Sequence, residues 1–130
     1  MKSRSCLSWT LLAALFFLAG CQRLDLEKTL KVPVGEVHKV FIDPPRSDQK
    51  VTAKINSPGA PVSAYLVLES ESDAAQKKMM DHEAPAKPLA GKDKAEDITL
   101  DATVPAKKGF VLLLRSDTKD ADVKVKVTGR

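Results

Sequence analysis

At 130 residues, with 43% apolar and 29% charged, the chain has material for one globular domain and not for two. Its 21 Lys and Arg against 17 Asp and Glu give a net charge of +4, spread along the sequence. That mixture makes no strong case for nucleic acid, which would call for Lys and Arg clustered on one face, and an aromatic content of 5% leaves few rings on which sugars could stack.

The first segment has a basic start (Lys2, Arg4), an apolar run over residues 9–18, and small residues before Cys21. This is the layout of a signal peptide, and the run is shorter than the roughly 20 apolar residues a transmembrane helix needs. Leu18-Ala19-Gly20-Cys21 resembles the lipobox of bacterial lipoproteins. The resemblance implies cleavage before Cys21, a diacylglycerol on its sulfur and a further N-acyl chain such as palmitate, with no other cofactor. Each buried acyl methylene contributes about 0.8 kcal/mol, so two or three chains hold a small domain on a bilayer. Gln22 stands where some lipoproteins carry an inner-membrane Asp, which implies an outer-membrane or surface location in a cell with two membranes. Cys6 falls in the leader and Cys21 is the acylation site, so neither of the 2 cysteines is left for a disulfide. The expected organisation is a leader over 1–20, a lipidated tether over 21–27 and a domain over 28–130.

Within the domain, strands are expected at residues 30–34 and 37–42, joined at Gly35 and ended by Pro44-Pro45. Period-two alternation follows at Val51, Ala53, Ile55, again at Val62, Ala64, Leu66, Leu68, and again at Ile98, Leu100, Ala102, Val104. Residues 110–114 are apolar on both faces, which predicts a central strand covered on each side. Val123, Val125 and Val127 alternate with lysines, a pattern that also suits an edge strand guarded against aggregation. Seven to eight such strands predict an all-β fold, a jelly-roll-like antiparallel β-sandwich. One insertion interrupts it at 72–94, with Ser72 as N-cap and Asp73 in the first turn of a short helix, then a mobile loop.

Leu30-Lys-Val-Pro-Val-Gly35, Val62-Ser-Ala-Tyr-Leu-Val-Leu68 and Gly109-Phe-Val-Leu-Leu-Leu114 leading to Val123-Lys-Val-Lys-Val127 resemble the bacterial pre-peptidase C-terminal domains and, more distantly, Golgi-dynamics domains. The resemblance implies a small sandwich that binds, protects or presents something without catalysis. The 72–94 insertion and the scarcity of aromatics depart from it.

Met79, Met80 and His82 offer ligands that suit copper(I). Adjacent methionines on a helix point about 100° apart, however, so one packing inward while His82 is solvated is the stronger reading, and no metal is expected. The acidic runs Glu69, Glu71, Asp73 and Asp117, Asp120, Asp122 lack calcium-loop spacing. No serine lies in a G-x-S-x-G turn, and His38 sits within a strand, so no enzyme is expected. The leading expectation is a non-catalytic, lipid-anchored envelope protein that meets the membrane through its anchor and binds a protein partner near it, not nucleic acid. The alternative is a glycan or metal module with Tyr65, Met79, Met80 and His82 as contact surface, and a third reading is an accessory domain of a hydrolase.

Overall fold

The alternating segments form eight strands in a computed structural model that describes residues 24–130. The expected leader and Cys21 lie outside the described residues. The strands are β1 (Asp25–Val32), β2 (Val37–Ile42), β3 (Gln49–Asn56), β4 (Val62–Leu68), β5 (Ala90–Ala95), β6 (Asp97–Val104), β7 (Phe110–Ser116) and β8 (Ala121–Gly129), with one α-helix among the described residues, α1 (Ser72–Met80). They make two four-stranded sheets in the orders β1-β8-β3-β6 and β2-β7-β4-β5.

The pairing is nested: β1 with β8, β2 with β7, β3 with β6 and β4 with β5, every pair antiparallel. The domain is thus one long hairpin rolled over itself into two facing sheets, a jelly-roll β-sandwich. Its apex is the β4–β5 connection, and α1 lies there.

Alternation then decides what each strand buries. Inward residues such as Ile55, Leu66, Leu112, Leu114 and Val125 fill the space between the sheets around Phe110. Most outward residues of β4 and β7 are apolar as well, and α1 covers them: Ala75 and Met79 pack on Tyr65, Val67, Val111 and Leu113. Every residue of β7 is therefore buried, as its doubly apolar sequence predicts.

Four expectations are corrected. β1 starts at Asp25 and takes up residues assigned to the tether; exposed Lys28, on the side shared with Leu26 and Leu30, breaks the alternation that would have shown it. Residues 90–95, read as loop, form edge strand β5 on β4, which no apolar pattern marks because its side chains are mostly exposed. Ser72 is not the N-cap: Glu71 occupies that position after a 3₁₀ turn over Glu69–Glu71, and the Ser72 hydroxyl donates back to the Glu69 carbonyl at 2.8 Å. Finally, β8 lies between β1 and β3, so its lysines guard no edge.

Gly91 opposes Tyr65 across the β4–β5 pair, and a Cβ there would overlap the tyrosine ring. We expect Leu112→Ala to lower unfolding free energy by about 2–5 kcal/mol in urea titrations, because it empties a fully buried site. Thr99→Ala, on an exposed face, should stay within about 0.5 kcal/mol.

Candidate functional site

Two regions hold chemistry, one on each outer face of the sandwich. The first is a polar cluster where the end of α1 meets β7. Register places Arg115 beside Ser63 and Val37, outward from the core, and α1 leaves it only 6% exposed. Its Nη1 donates to the Met79 carbonyl, its Nη2 lies 3.1 Å from His82 Nε2, and its Nε lies 2.7 Å from Asp117 Oδ1. The last contact is an ion pair whose angle is not that of a hydrogen bond, so the Nε hydrogen is unpaired among the described residues.

Arginine has donors only, so the Arg115–His82 contact is a hydrogen bond in the tautomer that leaves His82 Nε2 free to accept, and Nδ1 faces Asp117 Oδ1 at 3.7 Å. His82 also ends the helix: with φ at 61° it takes the left-handed position. Its N–H donates to the Met79 carbonyl at 3.1 Å and that of Glu83 to the Lys78 carbonyl at 2.9 Å, a full Schellman cap.

Tyr65, 6% exposed, donates its hydroxyl to Asp93 Oδ1 on β5. Burial first, then the hydrogen bond to Asp93 and that carboxylate's charge, hold the phenol protonated well above the usual tyrosine range.

The sequence-predicted contact residues are thus divided. Tyr65, Met79 and His82 gather with Arg115 around a cleft of about 140 Å³, whereas Met80 is 57% exposed and does not line it. Alternation puts Tyr65 on the face that α1 covers, and Met79 is on the side of α1 that packs down on it, so both side chains are buried, Tyr65 to 6% and Met79 to 2% exposure. Among the described residues, no three His, Cys, Asp or Glu side chains gather to hold a metal. The cluster fastens the helix to the sheet.

The second region was not recognised in the sequence. It is the outer face of β1-β8-β3-β6, over which no described element folds and whose outward residues are mostly exposed. Two adjoining hollows of about 930 and 590 Å³ lie on it and share Lys54. The register sets Lys54 directly opposite Lys126, and Asn56 opposite Lys124, along the two central strands. On β6, Asp101 accepts from the Thr52 hydroxyl at 2.6 Å, and Asp97 accepts from the Asn56 amide. On β1, Glu27 flanks Lys126. The result is a basic stripe between two acidic margins, with threonine hydroxyls among them. Its only local signal was the Lys-Val-Lys alternation in β8.

No protein-family model matches the chain, and no curated protein matches it in sequence. Its fold is similar to that of several solved structures. One is a mitogen derived from Yersinia pseudotuberculosis, at a TM-score of 0.57 and 6% identity over 82% of this chain and 86% of that one. Another is the Aeromonas hydrophila periplasmic inhibitor of g-type lysozyme, at 0.56 and 9% over 86% and 90%. A third is the pre-peptidase C-terminal domain of a Bacillus anthracis collagenase, at 0.54 and 11% over 81% and 88%. At such identities the likeness establishes the β-sandwich fold alone.

Two measurements test the covered cluster. Asp117→Ala leaves the buried Arg115 charge without its carboxylate and should cost about 1–3 kcal/mol in denaturant unfolding, against at most about 0.5 kcal/mol for exposed Asp122→Ala. Tyr65 is the chain's single tyrosine, so ultraviolet titration of phenolate reports it alone. The folded state holds this proton more tightly than the unfolded chain, whose phenol titrates near pH ~10. Its stabilising contribution is therefore complete below that pH and lost above it, and Tyr65→Phe should flatten the alkaline fall in stability.

Proposed function

We propose that this chain is a lipid-anchored, non-catalytic binding module of the cell envelope, tethered through acylated Cys21 and binding an envelope partner with the outer face of β1-β8-β3-β6. The observation that carries this reading is the asymmetry of the sandwich: α1 covers the centre of one outer face, over β4 and β7, and leaves Phe41 of β2 exposed beside it, while no described element lies on the other face, which is hollowed and polar. The short tether supports it. Only residues 22–24 separate Cys21 from β1, a reach of roughly 10 Å when extended, which keeps the domain at its membrane. By the lipobox resemblance, that membrane is the outer one in a cell that has two.

The absence of catalysis is part of the proposal. Arg115 and His82 make their contacts with each other, the helix end and Asp117, and all three sit where the helix meets the sheet. Solved structures with this fold include a periplasmic lysozyme inhibitor, a task of binding rather than turnover.

Radiolabelled palmitate should enter the wild-type chain and not Cys21→Ala. In intact cells, a photoreactive side chain replacing Thr99 on the open face should yield a defined adduct, whereas one replacing Lys77 on α1 should not. Adducts from position 77 alone would move the binding surface to the helix and overturn the reading.

A further inference from the structure

We infer that the open face binds a linear glycan bearing spaced carboxylates, of the uronic-acid type; this rests on the reading above and names its ligand class. The argument begins with charge. Lys54 and Lys126 face each other on adjacent strands, with Cα atoms about 5 Å apart. Lys124 follows on the same side, and none of the three has a carboxylate within ion-pair distance among the described residues. Like charges directly opposed destabilise a sheet. An anionic group placed between the two ammonium groups reverses that sign.

The surroundings define what carries the anion. Thr52, Thr99 and Asn56 offer hydrogen-bonding groups beside the lysines, and Asp97 and Asp101 offer acceptors, a set that suits hydroxyl-rich rings. The same carboxylates, with Glu27 on the other margin, disfavour densely charged ligands. Double-stranded nucleic acid carries a charge about every 1.7 Å and would set phosphates against both margins. A flat anionic bilayer cannot fill the hollows, and an acidic peptide seeking a strand partner finds the backbones of β3 and β8 already paired on both sides. A polymer with one charge per sugar places its carboxylates on the central stripe and its hydroxyls toward the margins. The two hollows adjoin at Lys54, which leaves room for several sugars in a row. With no aromatic on the face, binding rests on charge and hydrogen bonds, so it weakens with salt.

The test uses the full acylated chain in detergent and calorimetric titration with polygalacturonate, with dextran, dextran sulfate and polyglutamate as comparators. Polygalacturonate should bind and lose affinity as salt rises; dextran should not bind. The double variant K54Q/K126Q should weaken polygalacturonate at least tenfold while keeping or raising the melting temperature, since it removes a repulsion. K77Q, the same kind of charge loss on α1, should change nothing. No binding of polygalacturonate, binding undiminished in K54Q/K126Q, or equal binding of polyglutamate or dextran sulfate would overturn the inference. An adduct at position 99 without polygalacturonate binding sinks this ligand class and leaves the binding module standing; loss of both sinks the two together.

Discussion

The nested pairing of one hairpin with itself governs where everything else in this domain can be. When β1 pairs with β8, β2 with β7 and β3 with β6, each connection except the apex is held between two ladders. Residues added between β4 and β5 displace no ladder, so that is where the helix falls. From the apex α1 folds back on the sheet that contains β4, and it has only 9 residues with which to cover a surface. The centre of one outer face is therefore covered and the other face left to solvent.

Covering that centre sets its own requirements. A helix this short is marginal in water by itself, so its contacts must hold it in place. Ala75 and Met79 supply the apolar contact, the cap at His82 closes the last turn, and Arg115 places a cation against the carbonyl at the helix C-terminus. The Lys39–Asp73 pair at 2.9 Å adds little, because Asp73 is almost wholly exposed. Arg115 is bound to this arrangement in turn. Once α1 covers β7, an arginine on its outward side must find partners, and Met79, His82 and Asp117 are what the helix end and the following turn bring within reach.

What could be read in advance follows from the range of the forces involved. Strands β3, β4, β6 and β8 announce themselves by local alternation and β7 by an unbroken apolar run, since each buries one face or both that its own sequence must make apolar. β5 buries almost nothing and is held by backbone pairing to β4, which leaves no mark on side-chain composition beyond Gly91 under the Tyr65 ring. Tyr65, Met79 and His82 drew notice because their chemistry is uncommon in this chain, yet two of them are buried packing residues. The open face is made of lysine, threonine and aspartate, which carry no signal singly. Only the β3–β8 register brings Lys54 to Lys126, and that register is set by strands from distant parts of the chain.

The lysine pair also shows where stability and binding diverge. Elsewhere on the same face the polar groups are placed to their mutual benefit: Asp101 accepts from Thr52 and Asp97 from Asn56. At Lys54 the register offers Thr99 on one side and Lys126 on the other, so its charge is met by no carboxylate opposite. A Thr or Glu at either position would suit an isolated sheet better. A repulsion at the centre of an uncovered face, flanked by groups that could direct a polar ligand, is an arrangement in which local stability is lower than it need be and an anionic ligand supplies the missing charge.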